Sequence, residues 1–321
     1  MSSTTIRRRA TALLRYAFVL VAAGLLVAAL VSQWDSFVAT VRTLEPSTIG
    51  LSLLLGLVAL VANMLSWRSA MASVGVGLST TAGGQVFFLS QLGKYVPGSV
   101  WPVLAQMELA RGLGHARSRG AAGSLLAMVV GVVSAAVVAM TALVSASPDT
   151  TTQYWWVAIP VAAGVVALTP PVLTRLLRLA RRVLRRDLDV PPVRGRSIVM
   201  SLVWSVLMWA AFGTHAWVVA RDLGATGPRA FLTTVGAFAL AWVVGFLVVI
   251  APAGAGAREA ALVLTMGGLL SRPDALALAL VSRVVLTVAD GLAALVVLPT
   301  ARRLQAGAHV VDESGPVSPG L

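Results

Sequence analysis

The chain has 321 residues, of which 58% are hydrophobic and only 12% are charged. Soluble domains are about 45–50% apolar and about 25% charged, so the composition excludes an ordinary soluble globule and a disordered chain. There is no cysteine and there are three scattered histidines, which excludes thiolate chemistry and disfavours a metal centre. The net charge of +13 is expected to lie in cytoplasmic loops of a membrane protein. We therefore expect no cofactor and no nucleic-acid partner.

Apolar runs long enough to cross a bilayer recur along the chain. The first, residues 11–33, follows three arginines and is too long for a signal peptide, so we expect an anchored helix after a cytoplasmic arm of residues 1–10. The polar residues 302–321 are expected to form a disordered cytoplasmic tail, which leaves 11–301 as a single transmembrane domain. The remaining unbroken spans are predicted at residues 48–72, 119–146, 154–174, 197–219 and 275–298.

Two further apolar stretches are interrupted by proline and glycine. Residues 84–112 are broken at Pro97-Gly98, and residues 231–270 are broken by the sequence APAGAGARE. Non-helical backbone persists at membrane depth only where it is buried in protein or lines a wet cavity. We therefore predict two re-entrant hairpins, although the run 231–251 is long enough to cross the membrane fully. The predicted fold is an all-α polytopic integral membrane protein with about six crossings and two broken hairpins, eight helical units in total.

The distribution of basic residues predicts the orientation of this arrangement. With the N-terminus in the cytoplasm, 18 basic residues fall inside and four outside, and a loop at 175–196 with eight arginines is cytoplasmic. Both termini are then cytoplasmic. Each half, about residues 11–146 and 154–299, makes three crossings, so the halves have opposite orientations. Pro97 and Pro252 are 155 residues apart, and this spacing predicts an inverted repeat, which is typical of transporters.

Charged residues at membrane depth are costly and therefore mark candidate sites. Lys94 precedes the first break, where it could face an anionic ligand, reach to the interface or pair with Glu108. Arg258 and Glu259 follow the second break, where a helix restarts and its N-terminus attracts anions. Arg258 could hold a phosphate there; alternatively, Glu259 caps the helix while Arg258 pairs with a neighbouring acid.

Other polar residues carry weaker predictions. Arg283 and Asp290 lie seven residues apart on one face of the last span. They could form a charged gate or a proton relay. Alternatively, they form a structural pair, either directly or through a third residue. Glu108 and Arg111 have the spacing of a surface helix pair. His215 is expected to be an interfacial or hydrogen-bonded histidine rather than a ligand.

If the hairpins enter from opposite faces, the two breaks meet near the middle of the membrane. Two cations and two helix N-termini would then make a good site for phosphate and a poor one for a cation. The expected site is a cavity bordered by Lys94, Arg258, Glu259 and Arg283. The full set of predicted substrate-binding residues is Lys94, Pro97, Gly98, Gly254, Gly256, Arg258, Glu259, Arg283 and Asp290.

The motifs Gly93-Lys94-Tyr95-Val96-Pro97-Gly98 and Pro252 through Glu259, with Ser282-Arg283 and Asp290, resemble a known family. It is the lysylphosphatidylglycerol synthase transmembrane-region family, the flippase-like part of the bacterial MprF proteins and their stand-alone relatives. Ala253 stands where the family usually has glycine. The resemblance covers about residues 10–300 and implies lipid translocation or another role in handling membrane lipids of a bacterial cell membrane. Full-length relatives carry an aminoacyltransferase domain; this chain has none, so lysyl transfer is not expected.

The expected function is a flippase that moves an anionic or phosphate-bearing lipid between leaflets, with membrane lipids as its partners. Two alternatives remain: a non-transporting membrane partner or anchor of a cell-envelope enzyme, and a small-solute transporter. Protein partners are not indicated by any motif. The chain lacks the motifs of metalloproteases, intramembrane hydrolases and membrane phosphotransferases, so we do not expect an enzyme.

Overall fold

The computed structural model describes residues 34–95, 101–146, 155–184, 193–248, 254 and 256–313, and these ranges are all-helical. The predicted arm 1–10, the predicted span 11–33 and the break residues Pro97 and Gly98 lie outside the described residues. Short 3-10 helices occupy Leu92–Tyr95 and Trp155–Val157. The α-helices in chain order are α1 Trp34–Thr43, α2 Pro46–Ser73, α3 Thr80–Gln91, α4 Trp101–Gly112, α5 Arg117–Ala146, α6 Ala158–Ala167, α7 Pro170–Leu184, α8 Gly195–Asp222, α9 Gly227–Leu247, α10 Ala257–Met266 and α11 Arg272–Glu313.

The structure is that of a multi-pass membrane protein. In the described ranges, five helices (α2, α5, α8, α9 and α11) are long and apolar enough to cross a membrane, and α6 with α7 would count as a sixth if this bent pair is one span. Helices α2, α5, α8 and α11 coincide with the spans predicted at 48–72, 119–146, 197–219 and 275–298. Helix α9 contains most of the 231–251 run.

The region predicted as one straight span at 154–174 is instead bent by 83° between α6 and α7. Consecutive prolines, Pro170 and Pro171, follow the bend. Proline lacks an N–H for the helix ladder and disfavours helical geometry in the residue before it, which explains the break. Helix α7 also covers the first part of the arginine-rich segment predicted as a loop. At the other end of the chain, α11 continues to Glu313, beyond the predicted boundary at 301.

Helices α2 and α8 form the centre of the bundle and run antiparallel. Ser66 Oγ donates to the carbonyl of Ser201 at 2.9 Å near one end, and Ser52 Oγ lies 2.7 Å from His215 Nδ1 near the other. His215 is fully buried, and its Nε2 lies 2.7 Å from Ser282 Oγ on α11. The prediction of a hydrogen-bonded His215 is therefore confirmed, and its imidazole links three helices.

The end of the bundle at Ser73, called here the Ser73 end, gathers four helix termini. The Arg194 N–H donates to the Ser73 carbonyl at 3.1 Å, which places the start of α8 beside the end of α2. Helix α3 begins at this end of the bundle, and helix α4 ends at it. Each has 12 residues, about 18 Å in length, which is shorter than the hydrocarbon core of about 30 Å. This first hairpin therefore penetrates the bundle from the Ser73 end.

Helix α4 is tied to α5 at the same end by an ion-pair cluster. Glu108 accepts hydrogen bonds from Arg111 at 3.0 Å and from Arg117 at 3.0 Å. The prediction of a Glu108–Arg111 pair is confirmed. The hydrogen bond from Arg117 is the main reason that the pKa of Glu108 is lowered from its ordinary value.

Helices α9 and α10, called here the second hairpin, begin and end at the opposite end of the bundle, and α9, with 21 residues, is long enough to cross a membrane. The Glu45 N–H donates to Asp222 Oδ2 at 2.9 Å, so the start of α2 and the end of α8 meet there. Thr40 donates to Asp274 Oδ1 at 3.2 Å, which brings the start of α11 to the same end. Helix α9 begins directly after α8, and α10 ends directly before α11. The two broken hairpins therefore enter the bundle from opposite ends.

Substitution of Gly213 tests the close packing of α8 against α9. A Cβ at Gly213 would lie 2.7 Å from Val235 Cγ2 and 2.9 Å from Val235 Cα, whereas a Cβ at Gly50 would meet nothing within 4 Å. Alanine favours a helix over glycine by roughly 1 kcal/mol, but overpacking costs about 1–3 kcal/mol. We expect Gly213→Ala to lower the thermal midpoint in detergent and Gly50→Ala to leave it unchanged or raised. Equal midpoints for the two variants would contradict the packing.

Candidate functional site

In the first hairpin, the Lys94 ammonium and the Tyr95 hydroxyl both contact one carboxylate on α11, that of Asp290. Lys94 Nζ lies 2.6 Å from Asp290 Oδ2, and the Tyr95 hydroxyl donates to the same oxygen at 2.6 Å. The Asp290 side chain is only 3% exposed, so an unpaired charge there would be strongly unfavourable. Lys94 therefore pairs with Asp290, and the alternative partner, Glu108, is taken by arginines at the Ser73 end.

The second hairpin delivers a carboxylate to a cation on the same helix. Glu259, in the first turn of α10, accepts a hydrogen bond from the Gly256 N–H at 2.7 Å and forms an ion pair with Arg283. Glu259 thus caps the start of α10, as one of the two sequence-based interpretations expected. It also joins α10 to α11.

Helix α11 is the shared partner of both hairpins. Arg283 and Asp290 were predicted to share a face of this helix as a gate, a relay or a pair. Each forms an ion pair with a different hairpin, and their role as a gate or relay stays a prediction. Seven residues correspond to about 10 Å along a helix, so Lys94 of the first hairpin and Glu259 of the second contact α11 close to each other.

Arg258 differs from Lys94 and Arg283 in its surroundings. Its guanidinium carbon lies 4.7 Å from the centroid of the Phe238 ring, a cation–π contact. The ion pairs found within the described ranges do not include Arg258, because the neighbouring Glu259 is directed to Arg283 and Asp290 to Lys94. The interpretation in which Arg258 pairs with a neighbouring acid is therefore not observed in these ranges.

The glycines before α10 have a packing role. Gly254 has φ +68°, and a Cβ there would lie 2.7 Å from Gly245 Cα on α9. Gly256, at φ +84°, leads into α10. Both positions need glycine because other residues disfavour a positive φ. The close approach of Gly254 to Gly245 holds Arg258 beside α9. The predicted role of Gly254 and Gly256 in binding substrate stays a prediction.

A cavity of about 270 Å³ lies where the hairpins meet. Lys94, Gly254, Arg258, Arg283 and Asp290 line it, and Glu259 lies next to it in its pair with Arg283. Pro97 and Gly98 lie outside the described residues. The role of these residues in binding substrate stays a prediction.

Much of the cavity lining is aromatic, and sequence reasoning missed it. Trp67 is held there by a hydrogen bond from its Nε1 to Gln106 Oε1 at 3.0 Å. Tyr95 was also missed, although its place beside Lys94 was a usable signal. The other aromatic residues come from four different helices, so no sequence periodicity relates them; they are Trp67, Phe87, Trp209, Phe212, Phe238 and Trp242.

The site has an excess of positive charge and reaches the surface of the bundle. Three basic and two acidic side chains meet there, and both acids are used in ion pairs. Tyr95, 37% exposed, and Thr287 line the cavity and are exposed, next to the exposed apolar side chains of Val284 and Val288 on α11. The cavity therefore borders an outward-facing apolar surface of α11.

Comparison with known proteins gives one family. The sequence profile described as lysylphosphatidylglycerol synthase TM region matches residues 13–294. This range includes both hairpins and the whole of the cavity lining. No curated protein matches the sequence.

The Glu259–Arg283 pair can be tested by a double-mutant cycle. Arg283→Gln leaves the carboxylate of Glu259, which is 4% exposed, without its cation, and breaking a buried pair costs about 3 kcal/mol. Glu259→Gln/Arg283→Gln removes both charges and should be more stable than Arg283→Gln alone. Thermal unfolding of the purified variants in detergent measures the difference. The side chains are not coupled if Glu259→Gln lowers the stability of the Arg283→Gln variant by as much as it lowers the stability of the parental protein.

Proposed function

Because the chain belongs to the lysylphosphatidylglycerol synthase TM region family, we propose that it moves an anionic or phosphate-bearing lipid between membrane leaflets. The observation that carries this proposal is the position of Arg258. It lines a cavity between two broken hairpins and is left out of the ion pairs found in the described ranges. Its charge is thus available to an anionic head group.

The local charges favour an anion over a cation. Lys94 and Arg283 are neutralised by Asp290 and Glu259, so the positive charge of Arg258 is the excess. A guanidinium binds phosphate through two parallel hydrogen bonds, each strengthened by charge. The N-terminus of α10 contributes less than the sequence indicated, because Glu259 already accepts from the Gly256 N–H. The side chain of Arg258 is therefore the main anion-binding group in the proposal.

The borders of the cavity favour a lipid over a free solute. Tyr95 and Thr287 form an exposed polar edge beside Val284 and Val288. A head group could enter past this edge while its acyl chains stay in the bilayer against α11. The volume of about 270 Å³ is near the lower end of ligand pockets, at about 300 Å³, and suits a head group rather than a whole lipid. The assay below distinguishes transport of a lipid from transport of a small anionic solute through the same cavity.

A second candidate function is a non-transporting membrane partner or anchor. The two ion pairs that tie the hairpins to α11 favour it, since they would hold a fixed structure. The unoccupied volume beside Arg258 favours the transporter instead. Neither function needs a covalent step, and we assign no catalytic residue.

The proposal includes the orientation and symmetry expected from the sequence. The equivalent spans of the two halves would be α2 and α8, which run antiparallel, and the hairpins enter from opposite ends. Both features support an inverted repeat. The Ser73 end carries Arg117, Arg119 and the arginines of α7, and we place it and both chain termini in the cytoplasm.

Arg258→Gln is the sharpest test of this function. Loss of a hydrogen-bonded charge costs about 1.5–3 kcal/mol, so we expect transfer of fluorescent phosphatidylglycerol in proteoliposomes to slow by at least about tenfold. Arg229→Gln, at an exposed position outside the cavity, is the matched control and should keep the parental rate. Lys94→Gln should also slow transfer, but it leaves Asp290 unpaired and should destabilise the protein. Lys94→Arg should be tolerated better.

The assay is run with phosphatidylcholine and with a water-soluble organic phosphate in parallel. Faster transfer of the anionic lipid than of the other two supports the proposal. An unchanged phosphatidylglycerol rate in a folded Arg258→Gln variant would overturn it. Uptake of the soluble phosphate alone would assign the site to a solute.

A further inference from the structure

Helix α7 lies outside the cavity and at a large angle to the helix before it. The axis turns by 83° between α6 and α7. Helix α6 is preceded by Trp155 and Trp156, which are 64% and 55% exposed, as is common for residues at a membrane surface. A Cβ at Gly195 would lie 3.1 Å from Pro170 Cγ, so α7 begins beside the start of α8, at the Ser73 end. If α6 runs along the membrane normal, the bend directs α7 along the membrane plane there.

The side chains of α7 are separated by polarity. At 100° per residue, Arg175, Arg178 and Arg182 fall within an arc of about 60°. Leu176 and Leu179 lie outside this arc. All five side chains are exposed, with Leu176 at 47% and Leu179 at 56%. Leu176 and Leu179 lie about 130° and 70° from the centre of the arginine arc, so they form an exposed apolar strip beside the arginines. A helix that exposes separate apolar and basic surfaces is typical of the membrane–water interface.

The rest of the described chain covers only part of this helix. Leu173, near its start, packs against the core, whereas Leu176 and Leu179 remain exposed one and two turns later. Among the described ion pairs, none joins Arg175, Arg178 or Arg182 to a carboxylate. Both the apolar face and the basic face are thus directed outward from the bundle.

We propose that α7 is an interfacial helix that binds an anionic lipid surface at the Ser73 end. Leu176 and Leu179 insert among the upper parts of the acyl chains, and Arg175, Arg178 and Arg182 hold lipid phosphates. The bilayer is the occupant indicated by the structure, because the bend places the helix along its surface and the charge complements anionic head groups. This surface is separate from the cavity and does not depend on transport.

Single-cysteine spin labelling tests the placement, because the chain has no cysteine of its own. Labels at Leu176→Cys and Leu179→Cys, in full-length protein in vesicles of phosphatidylcholine and phosphatidylglycerol, should be accessible to oxygen dissolved in the acyl chains. Labels at Arg178→Cys and Arg182→Cys should be accessible to an aqueous nickel chelate. Aqueous access at all four positions would overturn the proposal. Shielding of 176 and 179 from both reagents would do so too, since a protein would then cover this face.

A lipid-selectivity measurement tests the charge. In vesicles, spin-labelled phosphatidylglycerol should be restricted by the protein more than spin-labelled phosphatidylcholine. Each basic residue near an anionic membrane surface strengthens lipid binding by at most about fivefold. We therefore expect the triple variant, with Arg175, Arg178 and Arg182 changed to Gln, to show a preference for phosphatidylglycerol that is lower by at least about threefold. Arg221→Gln/Arg229→Gln, at the opposite end, should reduce it less. If the triple variant fails to fold, added salt on the parental protein should lower the preference instead. An unchanged preference in both measurements would refute the proposal.

Discussion

Two ion pairs on one helix determine the geometry of the site. A charge at membrane depth must be paired or face water, and both carboxylates at this depth are paired across elements: Asp290 with Lys94 and Glu259 with Arg283. Each pair joins a different broken hairpin to α11. Because the two pairs lie about 10 Å apart along that helix, Lys94 and Glu259 come close to each other, and the cavity lies beside them. The remaining cation, Arg258, then has the cavity in front of it.

The pairs can form only because small residues let the helices approach closely. Ser52 and Ser66 bring α2 against α8, and Gly213 accommodates Val235 between α8 and α9. Gly254 brings the chain before α10 against Gly245. Lipid provides no hydrophobic driving force between helices, so close packing and interhelical hydrogen bonds have to hold the bundle together. The same packing supports the aromatic residues that line the cavity.

The sequence was sufficient to predict the parts of the fold that depend on local pattern. Apolar run length located α2, α5, α8 and α11, and the breaks marked by Pro97-Gly98 and by the glycines before Arg258 coincide with the ends of short helices. The 83° bend at Pro170 was missed because the run 154–174 has the length and composition of a straight span. The sequence predicts a loop where the arginines of α7 form a helix, because charge alone does not distinguish a loop from an amphipathic helix.

The pairing of the charges could not be predicted, because it depends on contacts distant in sequence. Arg283 and Asp290 share a helical face whether they pair with each other or with separate hairpins. The central claim is that both hairpins converge on one cavity, and the most direct measurement is cross-linking of Lys94→Cys to Arg258→Cys with a short bifunctional thiol reagent. A protease site between α7 and α8 would separate the halves. We predict that the two fragments stay linked, while Lys94→Cys with Arg229→Cys does not link. The account would be contradicted if the two fragments separate after cleavage although each cysteine, tested alone, reacts with the thiol reagent.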